Sequence, residues 1–226
     1  MSSAVAAFVR DKLGYAPKDA SLFERALTHS STGPDSYERL EFLGDRVLGL
    51  VIARALYERY PDEPEGQMSR RYNALVARET CADVGRDLGL PALIRVGKQA
   101  RADGANDSDN VVGDVVEALI GALLIDGGLE RAEAFVLDGW KSYLAGQGRA
   151  PQHPKSALQE LAAARGRRAP RYEVVSQTGA HHHPKFVIKV SVQGLGEADA
   201  EGSSKQEAET AAAAALLTQL NPNRLA

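Results

Sequence analysis

The sequence predicts an all-α domain followed by a small α+β domain of order α-β-β-β-α. Three observations carry this: a change of hydrophobic period, a change of charge balance, and a Gly/Pro/Gln-rich stretch between them. Residues 1–148 hold 17 Lys and Arg against 23 Asp and Glu, whereas residues 149–226 hold 10 against 7, so an acidic front carries a basic back within a net charge of -3. The stretch GQGRAPQHPKS (146–156) has the composition of a connector. The expected division is a first domain over 1–148, a linker over 149–153 and a second domain over 154–222.

In the front half, apolar residues recur at steps of three and four from Ser21 to about Leu144, with breaks at 33–34, 61–66, 89–91 and 102–109. After the linker, a helix over 155–165 is followed by RYEVVSQ and KFVIKVSV, whose β-branched content predicts strands. A third strand is expected within GLGEADAEGSS (194–204), and an alanine-rich helix closes the domain over 205–220. At 226 residues and 44% hydrophobic content the chain can bury a sizeable core. No apolar run reaches the roughly 18 residues of a membrane span, and Arg10, Asp11 and Lys12 interrupt the apolar N-terminus, which lacks the basic start of a signal peptide. No membrane partner is expected. A single cysteine, Cys81, excludes an internal disulfide or a Cys-rich zinc site and fits a cytoplasmic protein.

ERLEFLGDRVLGL (38–50) reads as helix, yet sets acids among core-like residues. At 100° per residue Glu38, Glu41 and Asp45 fall within an arc of about 60°. Leu40, Leu43, Val47 and Val51 lie opposite and are expected to face the core, with Gly44 and Gly49 admitting another backbone. In NVVGDVVEALIGALLIDGG (110–128), Asp114 and Glu117 are the only charges between Val111 and Ile125 and share a face. Were the two helices to cross with these faces opposed, Glu41, Asp45, Asp114 and Glu117 would form an all-oxygen cluster suited to Mg2+ or Mn2+ rather than zinc. Periodicity alone leaves open a solvated face or a capping role.

Four motifs in order then resemble the ribonuclease III family: LTHSS (27–31), ERLEFLGDRVL (38–48), EGQMSRRYNALV (65–76) and GDVVEALIGAL (113–123). The resemblance covers essentially the whole chain. It implies an all-helical nuclease domain that pairs as a homodimer around duplex RNA. It also implies hydrolysis assisted by Mg2+, with Mn2+ able to substitute, leaving 5′-phosphate and 3′-hydroxyl ends, and no organic cofactor. Glu41, Asp45, Asp114 and Glu117 match the metal ligands, Asp45 and Glu117 being the catalytic pair, while Glu38 and Glu65 match auxiliary acids. Phe42 is the candidate dimer contact, with solvent exposure or packing within the chain as the alternative. His29 and Cys81 are read as structural.

The back half resembles a double-stranded-RNA-binding domain. HPKSALQELAAARG (153–166) resembles its first helix, with Gln159 and Glu160 at minor-groove positions. GAHHHPKF (179–186) resembles the loop carrying a minor-groove contact, here His182, and GSSKQEAETAAAAALL (202–217) places Ser204 and Lys205 against phosphates. Such domains read A-form shape rather than sequence. The usual second lysine is Gln206, the usual loop proline is Ala180, and Arg46 stands where a small residue is common. A metal reading of His181–His183 is weaker than an RNA contact. The expected function is double-strand-specific cleavage in the processing of ribosomal RNA and other structured precursors, messenger RNA included. The alternative, a nonenzymatic duplex-RNA binder, would be marked by loss of the metal-ligand acids, and none is lost.

Overall fold

A computed structural model describes residues 3–146, 153–178 and 184–220. The chain divides into two compact units, Met1–Pro151 and Gln152–Ala226.

The described part of the first unit is helical: α1 (Ser3–Leu13), α2 (Ala20–Ala26), α3 (Glu38–Arg59), α4 (Glu65–Leu75), α5 (Arg78–Asp87), α6 (Lys98–Ala102), α7 (Asp109–Gly127), α8 (Leu129–Gly139) and α9 (Lys141–Ala145). α7 is the axis of the unit. Ser108 starts it, its side chain accepting the Val111 amide hydrogen, which satisfies a backbone donor the first helical turn leaves without a partner. Gly128, at φ 85°, ends it in a left-handed conformation that side-chain-bearing residues avoid. Between these caps Val111, Val112, Val115, Val116, Leu119, Ile120 and Leu123 are buried on all sides against α3, α5, α8 and α2, as expected of a helix apolar around most of its circumference.

The α3–α7 crossing is set by glycine. A methyl group at Gly44 would overlap the Glu117 carbonyl, and one at Gly121 would overlap the Leu40 carbonyl, so the two backbones touch there. The expectation for Gly44 therefore describes the contact, while that for Gly49 does not: its missing side chain makes room for the Tyr72 hydroxyl rather than for a backbone. Leu40, Val47 and Val51 are buried as expected, together with Leu48 and Ile52. Leu43 is only half-buried and lines a surface concavity with Leu22, Phe42 and Ile125, because the neighbouring helices leave that end of α3 uncovered.

The second unit packs α10 (Pro154–Ala164) and α11 (Lys205–Leu220) on a sheet of β1 (Arg171–Thr178), β2 (Lys185–Val192) and β3 (Gly196–Gly202). The sheet is antiparallel in the order β1-β2-β3, with Tyr172 opposite Val190, Ile188 opposite Ala200, and an irregularity between Val174 and Ser176. Thus the third strand exists along the segment expected. Alternation puts Ile188, Val190 and Val192 on the inner face, where Leu158, Ala162, Ala212, Ala213 and Leu216 close a small core. Alanines on α11 let helix and sheet approach closely: a side chain at Gly202 would meet the Ala208 nitrogen at 2.5 Å. Among the described residues no helix is long and apolar enough to cross a membrane.

Candidate active site

The glycine contact between α3 and α7 brings their acids together. Carboxylate oxygens of Glu41, Asp114 and Glu117 lie within 4.8 Å of one another, all partly buried. None of the three has an ion pair with a Lys or Arg among the described residues. Uncompensated carboxylates this close to the core resist ionisation, since burial disfavours the charged form and each charge disfavours the next. Glu117 is pushed up to about 7, by burial first and then by Glu41 and Asp114, with Arg78 and Arg46 opposing. Glu41 is also raised, by burial, then by Asp114 and Glu38. Burial raises Asp114 too, against the lowering effects of Tyr37, Arg78 and His29.

The fourth expected acid behaves differently. Asp45 is paired with the Arg46 side chain, and it stands outside the three-carboxylate group. The Arg46 guanidinium also lies 5.1 Å from the centre of the Phe42 ring, a cation–π distance. Arg46 therefore engages the fourth acid that the sequence singles out. Glu38 is exposed and accepts a hydrogen bond from the Ser36 hydroxyl at 3.2 Å, whereas Glu65 opens α4 and accepts one from Ser69 at 2.6 Å. Neither belongs to the group.

Two residues that sequence reasoning missed shape the site. Tyr37, buried at the start of α3, donates its hydroxyl hydrogen to Asp114 at 3.1 Å, fixing that carboxylate. Its own ionisation is pushed up, by burial and then by Asp114, so it remains a donor at neutral pH. Arg78, the first residue of α5, lowers both Asp114 and Glu117 through its charge. Tyr37 adjoins the acidic motif, but its partner is 77 residues away, and no short-range pattern announces that contact. Cys81 is buried and pushed up to about 12, by burial first and then by Glu117 and Asp114, which leaves its thiol inert. The His29 ring accepts the Ser31 amide hydrogen at 3.0 Å and is hydrogen-bonded to the Ser31 hydroxyl, a loop-shaping role.

An all-oxygen, partly buried group whose pKa values are all raised fits a hard divalent cation such as Mg2+ or Mn2+. A cation there would neutralise charges that otherwise oppose one another.

In the second unit, Gln159 and Lys205 line one shallow groove with His153, Lys155, Gln206 and Glu209. Lys155 is held by Glu209 at 2.5 Å, while Lys205 has no carboxylate partner among the described residues. Ser204 accepts the Glu207 amide hydrogen at 3.1 Å, and so helps start α11. Glu160 is exposed on α10. His182, like the rest of 179–183, lies outside the described residues.

Comparison with known proteins agrees with both halves. A family model described as ribonuclease-III-like matches residues 19–143, and one described as double-stranded RNA binding motif matches residues 154–220. The chain is 57% identical over 216 residues to ribonuclease 3 of Zymomonas mobilis subsp. mobilis, covering 96% of this chain and 88% of that protein. It is 46% identical to ribonuclease 3 of Caulobacter vibrioides, covering 91% of this chain and 92% of that protein. Among solved structures, the nuclease domain of the Campylobacter jejuni enzyme superposes with a TM-score of 0.59 at 31% identity, covering 63% of this chain and 97% of that one.

Proposed function

The chain belongs to the ribonuclease III family and carries a double-stranded RNA-binding motif, and from that premise we propose a homodimeric, Mg2+-dependent endoribonuclease specific for duplex RNA. The observation that carries the metal reading is the convergence of Glu41, Asp114 and Glu117, none of them in an ion pair with Lys or Arg among the described residues. In this reading the nuclease domain spans 1–148, the linker 149–153 and the RNA-binding domain 154–222. The protein acts in the cytoplasm on ribosomal RNA and other structured precursors.

Glu41, Asp114 and Glu117 would hold the ion, joined by Asp45 once its carboxylate leaves Arg46. Bound there, the ion would supply Lewis-acid stabilisation of charge developing on the scissile phosphate and would lower the pKa of water so that hydroxide is available near neutral pH. The protein's own part is positional. Tyr37 fixes one Asp114 oxygen, and the glycine-set crossing keeps the two helices in register. Glu38 adds negative charge beside Glu41, while the auxiliary role of Glu65 rests on the motif it occupies. Gln159, Glu160, His182, Ser204 and Lys205 are assigned to the RNA. Phe42 supports the dimer reading, being 63% exposed on α3, where a large apolar side chain gains from being covered. The Campylobacter jejuni structures include one described by a region involved in dimer formation of that nuclease domain.

The test is digestion of a long RNA duplex and of a single strand of the same sequence with Mg2+, comparing the protein with its Glu117→Gln variant. The expected result is cleavage of the duplex alone, leaving 5′-phosphates, and a rate roughly 10^3-fold lower in the variant, since lost metal chemistry costs several kcal/mol of barrier. Binding of the duplex should persist in the variant. Cleavage that survives the substitution, or that needs no divalent ion, would refute the metal reading. A duplex left intact by the wild type but still bound would favour the nonenzymatic alternative.

A further inference from the structure

The groove that holds Lys205 is not where the second unit concentrates its positive charge. Arg165, Arg167, Arg168 and Arg171 fall within seven residues that contain no acid, in the segment joining α10 to β1. All four are exposed, and none has a carboxylate partner among the described residues. Three lysines of the same unit contrast with them. Lys155, Lys185 and Lys189 are each paired, with Glu209, Glu201 and Glu197. Glu197, which lines a groove with Arg168 and Arg171, is paired with Lys189 at 3.1 Å.

The position of the cluster is fixed by the fold. Arg171 opens β1 opposite Ser191, whereas Thr178 closes the strand opposite Lys185, about 23 Å away at the rise of an extended chain. Lys155, near the start of α10, is about 15 Å of helix from Arg165. Both spans exceed the roughly 8 Å over which exposed charges interact in physiological salt. The cluster is also anchored. The Arg167 amide donates to the Ala162 carbonyl at 2.8 Å, and its guanidinium packs on Gly194, where a side chain would meet Arg167 Nη1 at 3.1 Å. Arg168 and Arg171 border a groove with Ser191, Gln193 and Gly194, so hydroxyl and amide groups lie beside the guanidinia.

We propose that Arg165, Arg167, Arg168 and Arg171 form a second RNA-backbone site, which holds a neighbouring helix of a folded transcript while the groove of Gln159 and Lys205 holds the first. Guanidinium groups suit phosphate because their donors match two oxygens at once. A sequence-blind site of this kind suits branched RNA, in which a second helix lies beside the one being read. The proposal rests on the RNA-binding reading above, and such a site would add positive charge to a domain that lacks one cation at Gln206.

The experiment measures binding of the full chain, in EDTA to prevent cleavage, to a 16-base-pair duplex and to a three-way junction with arms of about that length, sized to the span one such domain reads. The variant carries Arg→Gln at all four positions, and a companion carries Arg→Lys. With the glutamine variant, the junction should bind roughly tenfold more weakly at 0.15 M salt, with a salt slope smaller by about 2 to 4, since each phosphate left unneutralised lowers the slope by about one. The short duplex should bind as before, and the lysine variant should recover most of the junction affinity. Unchanged junction binding would overturn the site, as would an equal loss for both RNAs, which would place the cluster on the recognition face. A circular dichroism spectrum unlike the wild type's, together with junction binding abolished in the lysine variant, would assign the arginines to folding and overturn it too. Wild-type protein that retains neither RNA would instead remove the RNA-binding reading itself.

Discussion

The acids of the first unit and the cations of the second are held in opposite ways. Glu41, Asp114 and Glu117 are partly buried, close together and raised in pKa. Lys205 and the arginines between 165 and 171 are exposed at the ends of their elements. A group that must grip a bare ion has to be desolvated and preorganised, which costs stability. One that must attract a phosphate backbone needs only charge and reach, and can stay hydrated at little cost. Changes in the first unit should therefore disturb fold and site together, whereas changes in the second should leave the fold alone.

Gly44→Ala is expected to show the strongest such coupling. A methyl group there overlaps the Glu117 carbonyl, so α3 and α7 must part, at a cost of about 3 kcal/mol by the scale of overpacked cores. Denaturant unfolding should report the loss, and cleavage should fall with it because Glu41 and Glu117 separate. Should the variant prove fully stable, the backbone contact does not exist as described.

The next effect is smaller and has a sign set by burial. Glu117 titrates near 7 in the folded protein, above its ordinary value of 4.5, so between these values the folded state binds more protons than the unfolded one. Its contribution to stability is therefore full below about pH 4.5 and is lost as pH rises through 7. Without metal, Glu117→Gln should be more stable than wild type at pH 8 by about 1–3 kcal/mol, and equal to it near pH 4. Thermal melts in EDTA measure this, and adding Mg2+ should raise the wild-type melting temperature more than the variant's. A variant less stable at pH 8 would mean that Glu117 makes a favourable contact outweighing its desolvation.

Much of this arrangement was legible in the sequence. Helical period placed Glu41 on one stripe and Asp114 with Glu117 on another, and the resemblance supplied the reason for joining them. The α11 alanines and the alternation in KFVIKVSV likewise announced the second unit. What escaped was decided by single side chains in three dimensions. Asp45 has the right period, but its neighbour Arg46 competes for it. Leu43 has core spacing without a helix to cover it, and Tyr37 reaches Asp114 only after the chain has folded. Period states which face a residue occupies, and not what else is present on that face.

The smallest effect separates two lysines of the second unit. Lys155 and Lys205 line the same groove, but Lys155 is neutralised by Glu209 at 2.5 Å while Lys205 is not paired among the described residues. If uncompensated charge is what the recognition groove offers, Lys205→Gln should weaken binding of a 16-base-pair duplex about three- to tenfold at 0.15 M salt and reduce the salt slope by about 1. Lys155→Gln should change the slope by less than half as much, because Glu209 is then freed to repel the backbone only weakly across water. Neither should move the unfolding free energy by more than about 0.5–1 kcal/mol, the range for exposed side chains and their ion pairs. Equal slopes for the two variants would mean that Glu209 releases Lys155 when RNA binds, and the groove would then hold two cations for phosphate rather than one.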